Sequence, residues 1–272
     1  MASNYKLVAI DADGTLLDSA RQISARNKKA IQEASACGVR IVLCSGRSYK
    51  SLRMFAEELG LLANGNYVIA FNGGLIIDSG TDSVISESRL PQELAREIVE
   101  IAKPFSPAAA TIAYQDIHHI LVNPNIDNIA AYIQASKTEP IYVSDVAEAI
   151  THDIPKVMLV GAYDDLYTPA ALLRAKFSGR CNMFFSSQYL FELIAPNTSK
   201  GAGLQALCRH LQIPISQTIA IGDNFNDASM IQAAGLGVCM ANGEDDVKAL
   251  AGYVTSRDCD HSGVAEVLEK FI

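Results

Sequence analysis

Asp11 and Asp13 stand two residues apart, directly after the apolar run Leu7-Val8-Ala9-Ile10 and directly before Gly14 and Thr15. On an extended chain, residues two apart face the same way. Both carboxylates can therefore share one small volume at the strand's C-terminal end, where open α/β sheets place their ligands. Like charges that close require a cation or a proton. The competing reading is a solvated turn, for which Asp and Gly are ordinary residues. A calcium loop of the EF-hand kind also begins Asp-x-Asp-Gly, but it follows a helix and carries Glu at its twelfth position, where this chain has Gln22.

Three more polar groups fall where the apolar pattern puts a strand end or a helix start: Ser45-Gly46-Arg47, Lys200-Gly201 and Gly222-Asp223-Asn224-Phe225-Asn226-Asp227. In a parallel sheet all of them project to the edge that carries Asp11. Asp223 can join Asp11 and Asp13 in an oxygen-rich site for a hard cation. Mg²⁺ is favoured over Ca²⁺ because it takes few carboxylates, keeps waters and shares phosphate oxygens. The Ser45 hydroxyl and the backbone N–H groups of Ser45 and Gly46 near a helix start suit an anion, and Lys200 adds a compact positive charge.

That is a phosphoryl-transfer set. A carboxylate attacking a phosphate dianion meets a repulsion of about 8 kcal/mol at 4 Å for an effective dielectric near 20. Mg²⁺ and Lys200 are there to neutralise it. Asp11 can form an aspartyl-phosphate, while Asp13 protonates the departing oxygen and later deprotonates the attacking water.

The elements that must hold these groups follow from the patterning. A strand at 6–10, a helix at 24–36 with Ser24 as N-cap and Gly38 as stop, a strand at 39–44, a helix ending at Leu59 and a strand at Tyr67–Phe71 alternate. Nearly continuous apolar strands imply a parallel sheet covered on both faces. From 84 the grammar changes. Helices are expected at 91–102, 126–136 and 166–177, with shorter strands at 111–115, 119–122, 141–143, 156–160 and 181–194. After Pro196 the alternation returns: a helix at Lys200–Leu211, a strand at Thr218–Ile221, a helix at Asp227–Ala234, strands at 236–240 and 252–255, and a helix at 262–271. The expectation is an α/β Rossmann-like core from 1–83 and 190–272, with an inserted α+β domain at 84–189.

With 272 residues the chain can bury a sizeable core, and its net charge of -8 argues against nucleic acid as a partner. No apolar stretch approaches the roughly 18 residues of a membrane span, and Met1 to Lys6 lead straight into a strand, so the expected location is cytoplasmic. The six cysteines, without any Cys-x-x-Cys pair, read as reduced core thiols. His118 and His119 are adjacent and face opposite ways on a strand, so a hairpin surface explains them better than a metal. Gly235-Leu236-Gly237 lacks the third glycine of a dinucleotide fingerprint and reads as a turn.

Taken together, the four motifs in this order, with an insert between the second and third, resemble the haloacid dehalogenase superfamily of phosphatases. The insert's place resembles the Cof-type branch with its C2-type α+β cap. The resemblance implies Asp11 as nucleophile and Mg²⁺ ligand, and Asp13 as general acid/base that also binds Mg²⁺ through its backbone carbonyl. It implies Asp223 as the metal-binding acid, and Asp227 as an acid that holds metal-bound water or orients Lys200. Ser45, Gly46, Lys200, Asn226 and the Ala12 backbone match phosphate contacts, and Thr15, Arg47, Asn72, Gly73 and Asn224 lie where substrate is approached. One residue departs from the pattern: Ala12 stands where a bulky apolar residue is usual, which is expected to loosen local packing while leaving activity intact.

The function expected is a Mg²⁺-dependent phosphatase of small phosphomonoesters, sugar phosphates first, with the cap closing over the site to exclude water and select the leaving group. A hexose phosphomutase of the same superfamily is the alternative enzyme, and a phosphate-binding regulator without turnover the alternative of another class. A dehalogenase has no use for Asp13. The partner is a small phosphorylated metabolite, with no nucleic acid and no membrane, and a homodimer is compatible with the reading.

Overall fold

A computed structural model describes residues 4–63, 65–124 and 129–272. They divide into two compact units, one of Met1–Gly46, Leu52–Ser86 and Ser199–Ile272, the other of Arg47–Ser51 and Glu87–Thr198.

In the first unit β1 (Leu7–Ile10), β2 (Arg40–Cys44), β3 (Tyr67–Ala70), β4 (Leu75–Asp78) and β5 (Ser83–Glu87) come from the N-terminal part. The second unit contributes β6 (Ala110–Tyr114), β7 (His119–Val122), β8 (Glu139–Tyr142), β9 (Lys156–Val160), β10 (Asn182–Ser187) and β11 (Leu190–Ile194). The chain then returns to the first sheet with β12 (Thr218–Gly222), β13 (Leu236–Cys239) and β14 (Tyr253–Val254).

The first sheet has the order β14-β13-β12-β1-β2-β3-β4-β5. From β14 to β3 the pairs are parallel, and β4 turns back antiparallel on β3. β1 and β12 are buried at every position, which is what an all-apolar run between two helical layers requires. Each buried Leu, Val or Ile there contributes about 1.5–3 kcal/mol. Register decides where the chemistry lands. Ile10 pairs with Ile221 on one side and Leu43 on the other, so Asp11, Cys44-Ser45 and Gly222-Asp223 emerge side by side.

The second unit is a six-stranded sheet of order β10-β11-β9-β6-β7-β8, antiparallel except for β7 with β8. One face carries helices Gln92–Ala102 and Tyr163–Phe177, and Leu94, Ile98, Leu166 and Phe177 pack there with Val157, Leu159, Phe191 and Leu193.

The expected stretch at 181–194 is two strands rather than one, and β11 takes its hydrogen bonds from β9 and β10. The second unit therefore runs on to Thr198 instead of stopping at 189. Its start likewise moves from 84 to Glu87, because β5 joins the edge of the first sheet. The helix expected at 126–136 is found as Ala130–Ser136, and residues 125–128 lie outside the described ones. A short helix at Val146–Ala149, capped by the Asp145 side chain, was not anticipated. All six cysteines are free. Cys44, Cys181, Cys208 and Cys239 are buried, whereas Cys37 is exposed and Cys259 partly so, which restricts the core-thiol reading to four. Among the described residues, no helix is long and apolar enough to cross a membrane.

Candidate active site

Asp11 continues β1 by one residue, its N–H donating to Ile221 O at 3.0 Å. It is buried, as Asp227 is. Carboxylate oxygens of Asp11, Asp223 and Asp227 lie within 4.8 Å of one another. Lys200, with no solvent exposure, donates from Nζ to Asp11 Oδ1 at 2.6 Å and to Asp227 Oδ1 at 2.5 Å.

A lysine at the first turn of helix Lys200–Leu211 opposes the helix dipole, so helix electrostatics alone disfavour it. The two acids offset that cost. The helix start is fixed by Ser199, whose hydroxyl accepts from Ala202 N at 3.1 Å. It is also fixed by Gly73, where φ is +93° and an added Cβ would lie 2.0 Å from Ser199 O. Gly73, expected near substrate, is thus the point where the turn after β3 meets the lysine helix. Such an approach leaves no room for a side chain.

Asp227 is already engaged on both oxygens. Oδ1 holds Lys200, and Oδ2 accepts the N–H groups of Asp223 and Asn224, both at 3.0 Å. Its geometry orients the lysine and shapes the loop. Asp223 is largely buried, and Thr15 donates its hydroxyl to Asp223 Oδ1 at 2.8 Å. Thr15 is itself fully buried. It therefore steadies an acid, a role that its place in the Asp11 motif does not announce. Gly14 has φ +76° and an added Cβ would fall 2.5 Å from Asp223 Oδ2, so the turn between Asp13 and Thr15 closes tightly over that acid.

Electrostatics follow from this crowding. Burial, then the Asp227 charge, push the Asp11 carboxyl well above the ordinary range against the pull of Lys200. Asp223 is pushed up to about 7, by burial first and Asp227 second, with the Thr15 hydrogen bond and Lys200 opposing. One lysine does not compensate three acids. An all-oxygen donor set with excess negative charge fits a divalent cation, and Asp11 and Asp223 are the acids with capacity left to hold it.

The remaining expected residues separate into groups. Asp13 is exposed, and its charge raises Asp223. Ala12 is buried, its carbonyl accepting from Leu16 N and Leu17 N at 3.1 and 2.9 Å, so the small side chain sits in an ordered turn. Ser45 is buried, but its backbone N–H, expected among the anion donors, continues the β2/β3 ladder by donating to Ile69 O at 2.9 Å. Asn226 donates from Nδ2 to Asn72 Oδ1 at 3.0 Å. Asn224 is exposed and caps the turn Phe225–Asp227 through its side chain. Arg47 clusters with the second unit, where it donates to Ser51 Oγ at 2.9 Å.

One supporting residue escaped the sequence reading. Asn242 donates to Gly14 O at 2.8 Å and accepts from Cys259 N at 3.0 Å, bracing the Asp13-Gly14 turn from 228 residues away. No local pattern marks it.

A buried lysine bridges two acids on this sheet, a third acid lies beside them, and a fourth, Asp13, is exposed on the turn that follows Asp11. Comparison with known proteins places the chain in a family. The profile of haloacid dehalogenase-like hydrolases matches residues 8–268, and the chain belongs to that family. It is 30% identical over 271 residues to the 5-amino-6-(5-phospho-D-ribitylamino)uracil phosphatase YcsE of Bacillus subtilis, covering 99% of this chain and 96% of that protein. It is 29% identical over 289 residues to phosphatase YwpJ of the same organism, covering 98% of this chain and all of that one. A crystal structure of a haloacid dehalogenase-like hydrolase from Bacteroides thetaiotaomicron superposes with a TM-score of 0.90 at 32% identity, covering 98% of this chain and 100% of the other. The expected enzyme class, a hydrolase among phosphatases, agrees with these relatives.

Proposed function

We propose that this hydrolase is a Mg²⁺-dependent phosphatase of small phosphomonoesters, with phosphorylated sugars or polyols as the substrate class, acting through an aspartyl-phosphate on Asp11. The observation that carries the reading is the buried Lys200 bridge between Asp11 and Asp227, with Asp223 in the same cluster. Asp11 attacks phosphorus while the bond to the departing oxygen breaks, and exposed Asp13 gives that oxygen its proton. Asp13 then takes a proton from water as the water attacks the acyl phosphate, which releases inorganic phosphate and restores Asp11. Lys200 holds the Asp11 carboxylate in place and offsets the charge that gathers at the transferring group. Asp11, Asp223 and the Asp13 carbonyl would hold Mg²⁺, which when bound would supply the further neutralisation a dianion needs. YcsE is named for a substrate with a phosphorylated ribityl chain, which supports the sugar or polyol class.

Hydrolysis of p-nitrophenyl phosphate is expected to vanish in EDTA and return with Mg²⁺, and a panel of sugar monophosphates should release free phosphate. An isomeric phosphate as product would instead mark a mutase. Asp223, raised to about 7, holds a proton in the metal-free protein below that pH, and a cation must displace it. Apparent Mg²⁺ affinity should therefore fall about tenfold per unit as pH drops below 7. The same shift makes the metal-free fold lose stability as pH rises from the unfolded value of 3.8 through about 7. Activity that survives EDTA, or Mg²⁺ affinity flat from pH 5 to 8, would contradict this reading.

A further inference from the structure

Asn72 sits in a turn whose backbone is under strain. Phe71 and Asn72 are consecutive at φ +51° and +54°, in the left-handed region. Asn tolerates that region, whereas a bulky aromatic there is an outlier. Such conformations persist where the surroundings impose them, and they cluster at ligand sites.

The surroundings are specific. Asn72 N–H donates to Ser45 O at 3.0 Å, and Asn72 Oδ1 accepts from Asn226 Nδ2 at 3.0 Å. The amide lies against Gly46, where an added Cβ would fall 2.8 Å from Nδ2 and 3.1 Å from Oδ1. The missing Cβ is what admits the amide. With Asn72 only 2% exposed, Nδ2 nevertheless finds no hydrogen-bond acceptor in the protein. A buried donor without an acceptor is costly, and a side chain that only accepted from Asn226 would avoid that cost. The chain instead keeps the donor, aligned by Asn226, against the Ser45-Gly46 segment.

A neutral donor there suits an anionic oxygen. Lys200 is already shared between Asp11 and Asp227, so an amide adds a directional hydrogen bond to an incoming anion without disturbing that balance. We propose that Asn72 Nδ2 donates to a phosphoryl oxygen of the bound substrate, and that binding satisfies the donor the free protein leaves unpaired. The proposal rests on the phosphatase reading and assigns this residue within it.

The probe is inorganic phosphate in the presence of Mg²⁺, its affinity measured by calorimetry and by inhibition of p-nitrophenyl phosphate hydrolysis, alongside the melting temperature of each metal-free protein. Asn72→Ala removes the donor. Asn72→Asp keeps the oxygen that accepts from Asn226 and replaces only the donor. Phosphate affinity should fall about tenfold in the first and further in the second, where an oxygen faces the anion. Asn72→Ala is expected to melt below wild type, because it leaves Asn226 Nδ2 without its acceptor and places alanine at φ +54°, so phosphate affinity is the deciding readout. Either variant binding phosphate within twofold of wild type overturns the proposal, whatever its melting temperature. If Asn72→Ala does not fold, Asn72→Asp decides. Wild type that neither binds phosphate nor hydrolyses a phosphomonoester removes the phosphatase reading and this assignment with it. Wild type that does both while the variants match it removes Asn72 alone.

Discussion

Replacing Asp11 by Asn is expected to lower phosphatase turnover by on the order of 10⁴-fold or more, because it removes the nucleophile while leaving every neighbouring group in place. The fold should not suffer. Asp11 is a buried carboxylate whose ionisation is opposed by burial and by Asp227 and Asp223, and an Asn oxygen can still accept from Lys200 at the position where Asp11 Oδ1 now does. The metal-free variant should therefore melt at or above the wild-type temperature at pH 8. Loss of activity together with an intact fold is what separates a nucleophile from a structural acid. A variant that keeps near-normal turnover would remove Asp11 from the chemistry.

Lys200→Met has the larger consequence for stability. The ammonium is fully buried and its two acid partners stand at 2.6 and 2.5 Å. Removing it leaves two acids in a low-dielectric pocket without their counter-ion, and breaking a buried pair in this way costs about 3–5 kcal/mol. For a unit of this size the melting temperature should fall by on the order of 10 °C. The sign of the pH dependence is fixed by Asp11. Its carboxyl is already raised, and without Lys200 it rises further, so it takes up a proton as pH falls and the deficit against wild type narrows. Thermal melts at pH 5 and pH 8 check this, together with turnover, which should be lost at both. A variant whose deficit is constant with pH, or which melts like wild type, would show that Lys200 does not balance these acids.

Much of the site was legible because it lies on short, fully apolar strands and at helix starts. β1 runs into Asp11 and β12 into Asp223, each at a sharp change from apolar to polar residues, and the helix of Lys200 is announced by its N-cap Ser199 after a polar stretch. What the sequence hides is pairing between distant segments. Thr15 belongs to the Asp11 motif and reads as facing a ligand, yet its partner Asp223 is 208 residues on. Asn242 braces Gly14 with no pattern around it. β11 has the same apolar character as a first-sheet strand, and only its hydrogen bonds to β9 and β10 assign it to the second. The Ser187–Tyr189 turn that splits it from β10 contains no Gly or Pro to announce itself. The strain at Phe71 and Asn72 was likewise invisible, since a left-handed aromatic has no sequence signature.

The proposed intermediate is covalent, with Asp11 carrying the phosphoryl group between two half-reactions. Rapid acid quench of the wild-type enzyme during turnover of a phosphomonoester with Mg²⁺, followed by peptide mass analysis, tests it directly. One added phosphoryl group is expected on the peptide containing Asp11, labile to hydroxylamine and absent in Asp11→Asn. Turnover without phosphorylation of that peptide, or with the group on another residue, would contradict it.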